Sequence, residues 1–189
     1  MNCPFSAEQR KDIIALMNRE IVPAIGCTEP IAVALCVAKA TETLGCRPER
    51  IEARLSANIL KNAMGVGIPG TGMIGLPIAI ALGVLVGRSE YGLEVLKDAD
   101  EQGVEAGRRF IEEKRISVQL KEGITEKLYI EVTVTASGHY AEAIISGGHT
   151  TFVYMRRDDE VLLDERKPSS EQANVQDVEL TLQRVYDFA

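Results

Sequence analysis

The chain has 189 residues, 46% of them hydrophobic and 26% charged, with a formal net charge of −7. That length and balance suit one core of ordinary globular composition. An acidic chain with no basic block to offset it excludes nucleic acid as a partner, and equally an anionic membrane surface.

In chain order, Ser6 followed by Gln9 has the spacing of a capping box and predicts a helix with Ile13, Ile14, Leu16 and Met17 on its apolar positions, ended near Pro23. Gly26-Cys27-Thr28-Glu29-Pro30 then leads into a nearly all-apolar helix, Ile31 to Leu44, stopped by Gly45. Thr28 is the expected N-cap, and Pro30 is tolerated in a first turn. Cys27 would then sit at a helix N-terminus, where exposed N–H groups and the dipole favour a thiolate, the form that binds metal or attacks. The plain alternative is a small residue in a turn. Cys36, within the helix, and Cys46, beyond its end, read as inert. With Cys3 they complete a set of four cysteines without a C-x-x-C pair. No basic segment followed by an apolar signal opens the chain, so reduced thiols in a cytoplasmic protein are expected.

Arg50 to Ser56 alternates as a short half-buried strand. It delivers Ser56, Asn58 and Lys61 to the stretch on which the reading turns, Ser56 to Gly75. Polar side chains there (Ser56, Asn58, Lys61, Asn62) pass into five glycines and a proline. Such a cluster suits a backbone that must approach a ligand, and successive N–H groups around Gly70, Thr71 and Gly72 would form a concavity for a carboxylate or phosphate. The alternative is a tight packing loop between buried helices. Two literal G-x-G-x-x-G matches occur here, but no strand runs into the first glycine, so a dinucleotide site is not expected. No Gly-Lys-Ser/Thr follows, which excludes a P-loop. The uncharged run continues to Gly87, yet its uninterrupted apolar part, Leu76 to Val86, is about half of the roughly 20 residues a membrane span needs. It reads as a buried helix.

Ser89 is placed to cap a more charged helical region reaching Lys114, with Leu93, Leu96, Phe110 and Ile111 inward. From Arg115 the period becomes two: Ile116, Val118 and Leu120, then Leu128, Ile130, Val132 and Val134. Turn signals at Glu122-Gly123, Ser137-Gly138, Gly147-Gly148 and Asp158-Asp159 predict an antiparallel meander. His139 falls at a turn. His149, after Gly147-Gly148, is either a base projecting from a strand edge or a surface histidine. The expected fold class is α+β: a single domain over 1–165, helical over 6–114 and mainly β over 115–163. Residues 166–189 read as a linker and the start of a helix belonging to a second domain.

Three motifs together resemble a known family. They are Gly26-Cys27-Thr28-Glu29-Pro30-Ile31-Ala32-Val33-Ala34-Leu35, Ser56-x-Asn58-Ile59-x-Lys61-Asn62, and Ile68-Pro69-Gly70-Thr71-Gly72-x-x-Gly75-Leu76. In that order they are similar to the amino-terminal half of the L-cysteine desulfidase family, relatives of the catalytic chain of iron–sulfur L-serine dehydratases. The resemblance implies a lyase performing α,β-elimination on a small amino acid, L-cysteine or L-serine, at a 4Fe-4S cluster with one open iron. By position it makes Cys27 the first cluster ligand. Ser56, Asn58, Asn62, Gly70, Thr71 and Gly72 become substrate-binding residues, with Lys61 and His149 as catalytic candidates. The family's other cluster cysteines lie in a carboxy-terminal half not present in this chain. The chain alone is therefore expected to be inactive, with a complementary half or a second copy as partner. From the residues themselves, a non-catalytic module binding a small carboxylate or mediating assembly remains the rival reading.

Overall fold

Ser6 opens the first helix, α1 (Ala7–Glu20), with both arms of the expected box: the Gln9 N–H donates to Ser6 Oγ at 3.1 Å and the Ser6 N–H to Gln9 Oε1 at 2.9 Å. The fold was obtained as a computed structural model, which describes residues 5–166 and 181–188. They fall into two compact units. One lies within Ala24–Arg166; the other carries α1 and the last helix, Leu182–Phe188, within 1–23 and 167–189. The single domain expected over 1–165 is thus the unit 24–166, and α1 belongs with the other. Cys3 and most of the expected linker lie outside the described residues.

In the larger unit α2 (Thr28–Leu44) is followed by β1 (Arg50–Leu55), α3 (Ala57–Ala63) and a small hairpin, β2 (Gly67–Ile68) and β3 (Met73–Ile74). Next come α4 (Leu76–Leu85), a 3-10 segment (Ser89–Glu94), α5 (Glu101–Glu112) and strands β4 (Ile116–Leu120), β5 (Tyr129–Ala136), β6 (His139–Ser146), β7 (Phe152–Arg157) and β8 (Glu160–Asp164). The class is α+β. The main sheet has the order β4-β1-β5-β6-β7-β8. β5 to β8 form the expected antiparallel meander, but β4 does not join it: it runs parallel to β1, which is inserted between β4 and β5. A parallel partner must come from a distant part of the chain, and residues 56–115 make that crossover.

α2 is buried nearly all round, from Pro30 to Ala38 and again at Ala40 and Leu44. It lies between β5, β6 and β7 on one side and α4 on the other, which accounts for the unbroken apolar run from Pro30 to Ala38 instead of a single stripe. The two helices touch at Gly83, where an added Cβ would stand 2.7 Å from the Ala34 carbonyl oxygen. α4 spans ten residues, and among the described residues no helix is long and apolar enough to cross a membrane. α5 is capped by Asp100, whose Oδ1 accepts from the Gly103 N–H at 2.7 Å. The cap expected at Ser89 is not formed: Ser89 is the first residue of the short 3-10 segment, after Arg88 at the N-cap, and its hydroxyl donates to Glu42 of α2.

The sheet face turned away from α2 is polar but ordered. Glu131 is 4% exposed and accepts from Arg54 (3.0 Å), Lys121 (2.6 Å) and the Tyr129 hydroxyl (2.7 Å). Guanidinium groups of Arg166 and Arg156 lie over the rings of Tyr154 and Tyr140, at 4.0 and 4.6 Å from the centroids. These stacks roof a face that no helix of this unit covers.

Candidate active-site corner at the start of α2

Three separate segments meet at the N-terminus of α2. Cys27 is itself the N-cap, with extended backbone and no side-chain capping bond to the helix N–H groups; Thr28, expected as the cap, is the first helical residue. The half-buried Cys27 thiol donates to Glu29 Oε2 at 3.0 Å, and Thr28 Oγ1 donates to the same oxygen at 3.2 Å. The other oxygen, Oε1, accepts from Asn62 Nδ2 on α3 at 3.2 Å. The Cys27 hydrogen bond, against the opposing effect of burial, holds the Glu29 carboxyl below its usual range. The same bond, together with burial, pushes the Cys27 thiol up. The thiolate expected from the helix N-terminus is thereby corrected. The carboxylate is the stronger competitor for negative charge at this corner, and sulfur keeps its proton.

The glycine-rich stretch is the β2–β3 hairpin, with Pro69 to Gly72 as its loop. Thr71 is buried: its Oγ1 donates to the Ile68 carbonyl at 2.7 Å and accepts from the Met73 N–H at 3.0 Å. Arg108 of α5 donates to the Thr71 carbonyl at 3.2 Å and ties the loop down. Gly70 and Gly72 have φ of 77° and 63° and are exposed. The hairpin's own bonds run from the N–H groups of Thr71, Met73 and Gly75 and leave those of Gly70 and Gly72 unused. Gly26 joins the hairpin to α2. Its φ is 90°, and a Cβ there would lie 2.8 Å from both Cγ and Cδ of Pro69, so only glycine permits this contact. The start of α2 and the loop are therefore neighbours.

Other candidates divide. Ser56 is a buried helix cap for α3, a short helix where the sequence reading placed only a loop. Its Oγ accepts from the Ile59 N–H at 3.4 Å and donates to the Lys127 carbonyl at 2.8 Å. Ser56 and Thr71, named as substrate contacts, thus have their hydroxyls committed to bracing the corner. Asn58 and Lys61 are exposed on α3; Asn58, four residues before Asn62, shares its face, whereas Lys61, adjacent to it in sequence, does not. His149 is half-buried in the β6–β7 turn, not on a strand edge. That turn meets the corner only indirectly: a Cβ on Gly92 would lie 4.0 Å from Thr150, and the next residue, Leu93, accepts from the Ile25 N–H at 3.2 Å. Glu29 and Arg108 were not singled out from the sequence. For Glu29 the signal was present, a carboxylate two residues after a cysteine at a helix start.

A 4Fe-4S cluster is held by several thiolates. Cys36 is fully buried, its thiol donating to the Ala143 carbonyl at 3.3 Å and pushed up by desolvation, and Cys46 lies at the far end of α2. Among the described residues no group of three or more His, Cys, Asp or Glu is placed to hold a metal ion. Cys27 alone does not fit such a cluster.

Fold and corner together define a class: an α+β domain presenting a thiol–carboxylate couple at a helix start, flanked by a glycine hairpin. Among known proteins, the chain is 68% identical over 98% of its length to a UPF0597 protein of Bacteroides fragilis. It is 65% identical over 96% to one of Bacteroides thetaiotaomicron, and 41% identical over 96% to one of Aeromonas hydrophila. It spans only 43%, 42% and 42% of those relatives' own lengths. No family model and no solved structure matches it. These findings correct the resemblance drawn from the motifs. The proteins matched at high identity over nearly the whole chain are UPF0597 proteins, not L-cysteine desulfidases, and the chain is not placed in the desulfidase family.

Proposed function

We propose that the corner at the start of α2 is one wall of a lyase site for a small amino acid in the cytoplasm, and that the rest of a longer protein supplies the opposite wall. The observation that supports this is the hydrogen bond from the Cys27 thiol to the Glu29 carboxylate, set between Asn62 and the hairpin. α,β-Elimination needs one group to accept a proton and another to donate one. An ionised carboxylate bonded to a protonated thiol offers both, and direct transfer between the two atoms restores the pair. In this reading the free N–H groups of Gly70 and Gly72 receive the substrate carboxylate. Lys61 and Asn58 approach it from α3, and His149 is the second base candidate. Loss of the α-proton to the carboxylate and of the β-group, protonated by the thiol, as hydrogen sulfide from L-cysteine or water from L-serine leaves an aminoacrylate, which hydrolyses to pyruvate and ammonia. No step is assigned to an iron–sulfur cluster, because the described residues do not fit one.

The test is pyruvate release from L-cysteine and L-serine by the full-length Bacteroides fragilis relative and by its variants at the positions of Glu29 and Cys27. Turnover that falls at least about 100-fold in Glu29→Gln, as loss of a proton-transfer group does, supports the lyase. Binding of amino acids without turnover in any form supports the rival carboxylate-binding module, and neither binding nor turnover sinks both.

A further inference from the structure

The two ends of the main sheet, β8 and β4, are built differently. β8 is blunted: the register slips between Met155 and Arg156, leaving Leu162 as a bulged residue, and the strand is bounded by Glu160 and Asp164. Pairing β8 antiparallel with a copy of itself would set these acids against each other. β4, Ile-Ser-Val-Gln-Leu, has neither charge, proline nor bulge. Its pairing with β1 uses the Arg115 carbonyl, which accepts from the Ile51 N–H at 2.9 Å, and the Lys121 N–H, which donates to the Leu55 carbonyl at 2.8 Å. In a parallel ladder of that register the main-chain groups of Ser117 and Gln119 also face β1. Those of Ile116, Val118 and Leu120 face outward.

We infer that this edge pairs with β4 of a second copy, antiparallel, about a two-fold axis at Val118. In that register Val118 meets Val118, and Ile116 meets Leu120. These are the residues whose N–H and C=O point outward, so every such pair exchanges both of its main-chain bonds. Because paired residues share a face, apolar side chains meet apolar ones, and Leu120, 48% exposed, gains Ile116 as a neighbour. Ser117 meets Gln119 on the other face. Beyond the strand ends the register brings the exposed Lys114 of each copy toward the exposed Glu122 of the other. The like charges that also approach are already neutralised, Arg115 by Glu113 and Lys121 by Glu131, each at 2.6 Å. The closed, isologous interface leaves the main sheet with the blunted β8 edges as its free ends. It is independent of the lyase reading.

Sedimentation velocity of the chain across a dilution series tests this. A two-copy species is expected. Val118→Pro removes an outward N–H without touching the β1 ladder and should give a monomer with an unchanged circular dichroism spectrum. Should that variant fail to fold, charge exchange still decides. Glu122→Lys should weaken the dimer by about tenfold, two attractive contacts becoming repulsive, and Lys114→Glu combined with Glu122→Lys should restore it. A wild-type monomer, or a dimer indifferent to the Glu122→Lys change, overturns the proposal.

Discussion

Cys27 Sγ stands 3.0 Å from Glu29 Oε2, and of the two side chains it is the carboxylate that carries the charge. The pair inverts the expectation for a cysteine at a helix start, because an adjacent carboxylate opposes a thiolate more strongly than the N-terminal dipole favours it.

Replacing Glu29 by Gln removes that opposition. In a Cys3→Ser, Cys46→Ser background, alkylation of Cys27 at pH 8 should quicken by about three- to tenfold as the thiol falls toward its ordinary range. Peptide mass spectrometry over time measures it. An unchanged rate would mean that the hydrogen bond does not control the thiol.

Gly26→Ala should destabilise the protein by about 2–4 kcal/mol, combining an unfavourable positive φ with overlap against Pro69. Gly67→Ala, where no atom lies within 4 Å of the added Cβ, should cost about 1 kcal/mol or less. Urea titration of the two variants compares them. Equal losses would show that the hairpin does not depend on this contact.

Glu131 and Glu142 should respond to pH in opposite senses. Burial pushes Glu131 up, but Lys121, Tyr129 and Arg54 outweigh it and hold the carboxyl below its ordinary range. Its stabilising contribution is complete above the ordinary carboxylate range and disappears as pH falls through the lowered folded value. Glu131→Gln should cost about 1–3 kcal/mol at pH 7, since Arg54 and Lys121 can still turn to water. Glu142 is raised, by burial and then by Glu131, so its ionisation opposes folding as pH climbs from the ordinary range through the raised one. Glu142→Gln should be neutral in acid and raise stability by up to about 1 kcal/mol at pH 7. Thermal melts at several pH values test both signs.

Ser56→Ala should lose about 1–2 kcal/mol, through the α3 cap and the bond to the Lys127 carbonyl. If the hydroxyl only braces the corner, amino-acid affinity measured well below the melting temperature should not change. A selective loss of affinity would return Ser56 to the binding set.

Locally encoded features were legible in the sequence. The Ser6–Gln9 box, Gly45 ending α2 and the turns at Ser137-Gly138 and Asp158-Asp159 each follow from a few adjacent residues and appear where expected. α3 was missed because seven residues are too few to display a helical period. The parallel pairing of β4 with β1 leaves no local trace, since the same alternation serves either strand direction. At the corner, the roles of Cys27 and Glu29 depend on Asn62 and on burial, and spacing reports neither.

The place of β1 between β4 and β5 has a consequence for how the chain acquires its shape. β1 is the earliest strand in the chain, yet both of its neighbours lie far downstream, and closing so long a segment is entropically slow. The hairpins of β5 to β8 can assemble among themselves first. β1 then enters as a keystone, bringing the chain on either side of it into place.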